Sequence, residues 1–233
     1  MIKPELIGSL LGLVTHDLRN PLSALHSNAG FLSSVLKSED RETREALEDM
    51  VASCDSLSHI IDNLELLALS IDARASRERT QVVLQTCLAE ASTRSRLCAL
   101  SHRVELVVEP FSGAQLTVTA NRDMLMRALS NLLRNAVQHS SEGSRVLVRV
   151  GADAGRAIVR VEDSGVTLAP EHREQAFTAD GQLASKGMIG GRYGRGLGLL
   201  CAAVAAELCG AEIDSVDPPS GRGNVFELSV PLA

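Results

Sequence analysis

With 233 residues, 45% apolar and 22% charged, the chain is long enough for one large or two small folded domains, and its composition argues against disorder. A net charge of −6 without a basic run argues against phosphate-driven nucleic-acid binding and against adhesion to an anionic membrane surface. With no tryptophan, one tyrosine and four phenylalanines, the core must be aliphatic and there is no aromatic platform for stacked bases.

Residues 1 to 72 read as two helices. Pro4 and Glu5 suit the first turn of the first helix. Leu11, Leu18, Leu25 and Leu32 recur every seven residues, with Ile7, Val14 and Val35 on the companion position, which makes an apolar seam. With Leu11 as heptad position a, His16 is position f, pointing away from the seam, and Asp17 lies beside it. Pro21 has no N–H for the carbonyl of Asp17, so the helix should loosen one turn beyond the histidine. Ser38 to Arg41 reads as a short connection with Asp40 as the N-cap of the second helix. That helix repeats the heptad through Leu47, Cys54, Ile61 and Ala68, and again through Met50, Leu57, Leu64 and Ile71. A hairpin with two such seams cannot bury them alone; two hairpins joined as a four-helix bundle can, so the pattern implies a homodimer. His26 and His59 carry no distinguishing context.

The apolar run Leu10 to Val14 is far too short to span a bilayer and no signal-peptide pattern precedes it, so the expected location is cytoplasmic. No sensor module is recognisable, so input should come from a partner protein or a segment outside this chain. The five cysteines form no C-x-x-C pair and read as buried reduced thiols.

Residues 73 to 80 are charged and nearly free of large apolar side chains, which marks a linker. Over 81 to 233 the period alternates between strand and helix. Strands are expected at 82–84, 103–108, 115–119, 145–150, 156–162, 211–216 and 224–230, and helices at 85–99, 121–138 and about 197–208. The fold class is therefore α+β in two domains: an antiparallel helical hairpin, then an α/β sandwich with helices layered on one face of a mixed sheet.

Three features between 131 and 198 converge on a nucleotide. Asn131 and Asn135 stand one turn apart on one helix face, and a carboxamide oxygen suits Mg²⁺, which keeps most of its ligands as water and phosphate oxygens. Asp163-Ser164-Gly165 follows an apolar strand whose end can hold a carboxylate to accept the amino group of adenine, with Gly165 permitting close approach of the ring. Gly194, Gly196, Leu197 and Gly198 lead into an apolar helix whose first amides form an anion site for phosphates. Neither the dinucleotide G-x-G-x-x-G pattern nor a P-loop is present. Residues 166 to 193, charged and glycine-containing, read as a mobile lid.

Taken in order, these segments resemble the sensor histidine kinases of two-component signalling over nearly the whole chain. Thr15 to Leu22 is similar to the family's phosphoacceptor box, Asn131 to Ala136 to its asparagine box, Asp163 to Gly165 and Gly194 to Leu199 to its two glycine boxes, and Gly221 to Leu232 to the closing strand of its GHKL-type ATP-binding domain. The resemblance implies that His16 takes the γ-phosphoryl group of ATP and passes it to the receiver domain of a response regulator. Asp17 would orient the ring, and Asn20 would align water for dephosphorylating that regulator. The nucleotide site would comprise Asn131, Asn135, His139, Asp163, Gly165, Gly194, Gly196, Leu197 and Gly198, with Asn135 on Mg²⁺. The chain departs from the family at Thr167, where a glycine is usual, at Gln138, where a lysine is common, and in its lid, where the phenylalanine pair is reduced to Phe177. The rival readings are a phosphotransfer module with a degenerate ATP domain, and a GHKL-type ATPase or serine kinase that uses the hairpin only to dimerise.

Overall fold

The computed structural model describes residues 4–35, 41–71, 78–111, 113–181 and 197–233. The chain divides into two compact units, Met1–Ala75 and Ser76–Ala233.

The first unit is built from α1 (Pro4–Val35) and α2 (Arg41–Ile71), each about eight or nine turns long. α1 runs through Pro21 as one helix. The helices pack along Leu22, Cys54 and Ile61, flanked by Thr15, Ala29, Leu47, Leu66 and Ala68, all buried. The α1 seam read from sequence therefore differs from the one used within the hairpin. Position e, occupied by Thr15, Leu22 and Ala29, faces α2, whereas Val14, Leu18, Leu25, Leu32 and Val35 remain exposed. The small side chains at 15 and 29 let the helices approach closely, and the bulky leucines stay outside that contact. α2 divides the same way: Leu47, Cys54, Ile61 and Ala68 face α1, while Met50, Leu57 and Ile71 are exposed. The turn expected around Asp40 and most of the proposed linker lie outside the described residues; Thr80, read as linker, instead opens a strand.

The second unit starts with β1 (Thr80–Val83), which pairs antiparallel with β3 (Thr117–Ala120) as a small separate sheet. The main sheet has five strands in the order β2 (Glu105–Val108), β4 (Arg145–Asp153), β5 (Arg156–Asp163), β7 (Asn224–Pro231) and β6 (Glu212–Val216). Only β2 and β4 run parallel, so the sheet is mixed. Alternation of side chains sends Val146, Val148, Val159, Val161, Phe226, Leu228 and Val230 to one buried face. The other face carries ion pairs such as Arg145–Glu105, Arg149–Glu162 and Arg160–Glu227.

Three helices belong to this unit: α3 (Leu84–Ser101), α4 (Arg122–His139) and α5 (Gly198–Cys209). α4 packs against both others. It starts where Asn121 accepts a hydrogen bond from the Met124 N–H at 3.1 Å, with Asp123 favourably placed in the first turn. α5 is apolar apart from the exposed Glu207, and its buried Cys201, Ala202, Ala205 and Ala206 suit close packing. All five cysteines are free and buried, and burial pushes the Cys209 thiol up to about 11 and Cys201 to about 12, so both are inert thiols.

The segment read as a mobile lid begins with packed structure. Leu168, Ala176 and Gly181 are buried, and Phe177 meets Phe226 edge-to-face with ring centroids 6.1 Å apart. Phe177 thus anchors this segment to the sheet core. Residues 182–193 of the proposed lid lie outside the described residues.

Candidate active site

In the first unit the chemistry gathers on one turn of α1. The His16 side chain is 74% exposed, and its Nδ1 lies 3.3 Å from Oδ1 of Asp17. With the proton on Nδ1 donated to that carboxylate, Nε2 carries the free lone pair and faces solvent. Asn20 is exposed one turn further on. Arg19 crosses to α2, where its Nη2 donates to Asp62 at 2.8 Å and to Glu65 at 3.4 Å.

In the second unit, the end of β5 carries Asp163, which is 3% exposed. Its Oδ1 accepts the Gly165 N–H at 2.8 Å and the Asn224 side-chain amide at 3.0 Å, while Oδ2 receives only a longer contact from Asn224 at 3.3 Å. Oδ2 is therefore the oxygen with capacity for an incoming amine. Burial raises the Asp163 carboxyl to about 6, against the opposing pull of the Gly165 and Asn224 hydrogen bonds. An open cleft of ≈ 510 Å³ adjoins it, lined among others by Gly165, Thr167 and Arg222.

Asn224 escaped the sequence reading as a site residue. It lies directly across the ladder from Asp163, and besides holding both carboxylate oxygens it accepts the Leu168 N–H at 2.7 Å and donates to the Val166 carbonyl at 3.1 Å. The available signal was an asparagine opening a strand, a residue type strands disfavour. Gly223 beside it has φ +78°, and a Cβ there would overlap the Asp163 carbonyl oxygen.

Gly165 is required by close approach: a Cβ would lie 2.6 Å from the His139 carbonyl oxygen at the end of α4. His139 itself is half-buried. Gly165→Ala is expected to displace the Asp163–Gly165 loop from α4, weakening adenine-nucleotide binding by at least about tenfold and lowering stability by about 1–3 kcal/mol. Calorimetric titration together with thermal unfolding checks both, and unchanged affinity would remove Gly165 from the site.

Asn131 and Asn135 are both buried. Asn131 donates to the Arg127 carbonyl at 3.0 Å, but among the described residues its Oδ1 has no hydrogen-bond partner, and neither has Nδ2 of Asn135. Each such orphan costs about 1–3 kcal/mol unless a ligand or water satisfies it. Gly198 lies against the Asn135 carboxamide, its Cβ position 3.5 Å from Oδ1, which brings the start of α5 to the asparagine face of α4. Leu197 caps α5 without a side-chain hydrogen bond, so among the described residues the first amides of that helix receive none from the cap residue. The structure thus brings Asn131, Asn135, Leu197 and Gly198 together, and separately Asp163, Gly165 and the His139 carbonyl. Gly194 and Gly196 lie outside the described residues. Among the described residues no group of three or more His, Cys, Asp or Glu side chains is arranged to hold a metal. A cation here would rest on carboxamide oxygens and on its ligand's own phosphates, which fits Mg²⁺.

The family model of the His Kinase A (phospho-acceptor) domain matches residues 7–70, and that of the histidine kinase-, DNA gyrase B- and HSP90-like ATPases matches 120–233. The chain belongs to the histidine kinase family. Among curated histidine kinases, it is 24% identical over 217 residues to the sensor histidine kinase RppB of Synechocystis sp., covering 93% of this chain and 47% of that one. To the sensor-like histidine kinase SenX3 of Mycobacterium bovis it is 28% identical over 221 residues, covering 94% and 52%. The chain thus spans about half the length of these curated relatives. Its fold is similar to that of full-length ShkA, crystallised with AMPPNP, with a TM-score of 0.63 at 23% identity over 97% of this chain and 46% of that one. No described helix is long and apolar enough to cross a membrane.

Proposed function

We propose that this chain is the kinase core of a cytoplasmic two-component signalling protein, in which His16 is phosphorylated from Mg-ATP and passes the phosphoryl group to an aspartate of a response regulator receiver domain. The observation that carries the reading is an exposed imidazole whose Nδ1 is engaged by Asp17, leaving Nε2 free, on a chain that also holds an ATPase-family domain. Nε2 attacks the γ-phosphorus and the bond to the β,γ-bridging oxygen breaks. ADP leaves with that electron pair, and the charge growing on the ring is relieved as the Nδ1 proton moves toward Asp17. Asp163 accepts the adenine amino group through Oδ2, and the first amides of α5 face the phosphates. Mg²⁺ would be held by Asn135, with Asn131 beside it, and supplies charge neutralisation on the phosphates. Asn20, exposed one turn from His16, would orient water for removing the phosphoryl group from the regulator.

Incubation with γ-labelled ATP and Mg²⁺ should give protein-bound label that survives alkali and is lost in acid. Absence of both label and nucleotide binding would overturn the kinase reading and leave a phosphotransfer module in its place.

The exposed Val14, Leu18, Leu25, Met50 and Leu57 support a homodimer through a four-helix bundle. The double variant Leu25→Glu/Leu57→Glu places four charges in that seam and is expected to weaken association at least about a hundredfold. Light scattering across a dilution series reads the change; an unchanged dimer would place the interface elsewhere. Input then reaches the hairpin from a sensory partner or a segment outside this chain.

A further inference from the structure

Arg19 uses one nitrogen for two carboxylates. Nη2 meets both Asp62 and Glu65, and these two bonds engage neither Nε nor Nη1. The side chains of Arg19, Asp62 and Glu65 are 43%, 52% and 30% exposed, so the cluster contributes little to stability, and holding the hairpin together does not account for it. What the cluster does provide is a guanidinium fixed in place, because two acids one turn apart on α2 restrain a side chain that otherwise samples many rotamers. Arg19 follows His16 by three residues, the spacing at which helical side chains are neighbours.

Resting on the proposal that His16 is phosphorylated, we infer that Arg19 is a phosphoryl-binding residue: anchored through Nη2 to Asp62 and Glu65, it presents its remaining N–H donors to the phosphoryl oxygens carried by His16. Guanidinium is suited to this because its donors form a planar fork that serves two anionic partners at once. Asp17 follows His16 directly on α1, and on α2 His59 stands one turn before Asn63, 3.3 Å from it. In this cluster two formal negative charges stand against the one positive charge of Arg19. Passing the phosphoryl group on to the regulator therefore need not work against an excess of positive charge.

The test uses the full chain phosphorylated with phosphoramidate, which needs no nucleotide. Its P–N bond breaks, ammonia leaves, and a new bond forms to Nε2 of His16. The ³¹P resonance of phospho-His16, identified by its absence in His16→Gln, is titrated with pH in about half-molar salt, where the field of distant surface charges is screened and a direct contact persists. Arg19→Gln should raise the titration midpoint by about half a unit and shorten the acid half-life about threefold, because a cation in contact favours the more charged phosphoryl form. Asp62→Asn/Glu65→Gln, which keeps Arg19 but releases its clamp, should move the midpoint the same way by a smaller amount, whereas the loss of two negative charges alone would lower it. Equal midpoints in all three proteins, or shifts of opposite sign in the two variants, would overturn the inference. Loss of labelling by ATP with labelling by phosphoramidate retained would remove the kinase reading alone and leave the Arg19 measurement standing.

Discussion

Replacing His16 with glutamine is expected to lower acid-labile label from γ-labelled ATP by at least about a thousandfold, to background. Glutamine keeps the length and polarity of the site but has no lone pair able to form a P–N bond. The side chain is exposed and takes no part in the buried contact along Leu22, Cys54 and Ile61, so hairpin packing should be unaffected. Nucleotide affinity should stay within about twofold, since His16 belongs to a different compact unit from Asp163 and Asn135. Residual acid-labile label above background would mean that another of the six histidines is the acceptor. Loss of label together with loss of ATP binding would mean that the variant damages more than the nucleophile. Filter retention after alkali or acid treatment, with equilibrium binding on the same samples, separates these outcomes.

Asp163→Asn is expected to make the protein more stable and a poorer nucleotide binder. The buried carboxyl titrates at about 6 in the fold against an ordinary 3.8. The native state therefore holds its proton more tightly than the unfolded chain, and stability falls as pH rises from about 4 to 6. Above that window the ionised group costs roughly 3 kcal/mol relative to an unshifted one. Removing the charge should return about 1–3 kcal/mol near pH 8, the lower part of this range allowing for the altered hydrogen bond with Asn224. Binding moves oppositely, because the amino group of adenine needs an acceptor and the neutral acid puts a proton where the lone pair should be. For the native chain, adenine-nucleotide affinity should fall by up to about tenfold per unit as pH drops below about 6. The Asp163→Asn variant should bind at least about tenfold more weakly at pH 8 and lose that pH dependence. Thermal unfolding and titration calorimetry between pH 5 and 8 give both curves. A variant that is less stable yet retains the pH-dependent binding would exclude Asp163 as the adenine acceptor.

The heptad repeats made the hairpin legible because one residue type every seven positions survives any packing detail. They did not reveal which apolar stripe meets which. Thr15 and Ala29 look like fillers in sequence, yet with Leu22 they form the contact inside the hairpin, since close helix packing favours small side chains, while Leu18 and Leu25 stay exposed. Strand positions were legible to within a few residues from alternation, but β1 and β3 form a separate small sheet, a pairing between segments more than thirty residues apart that alternation cannot encode. At the start of the segment read as a lid, Phe177 lies in no local periodicity, and its edge-to-face contact with Phe226, far along the chain, becomes visible in the fold.

By itself, the sequence determined the chemistry: a histidine beside a carboxylate, two carboxamides one turn apart, an aspartate at a strand end, and a glycine-rich entry to a helix, because residue type and local spacing set which atoms are on offer. Tertiary structure decided how those atoms are conditioned. Burial of Asp163 and its grip by Asn224 across the ladder, the enclosure of Asn131 and Asn135 by α5, and the anchoring of Arg19 on Asp62 and Glu65 all join residues distant in sequence. Desolvation and hydrogen-bond partnership are properties of the folded neighbourhood, so pKa, orphaned donors and the identity of the accepting oxygen become readable only once the strands and helices are packed.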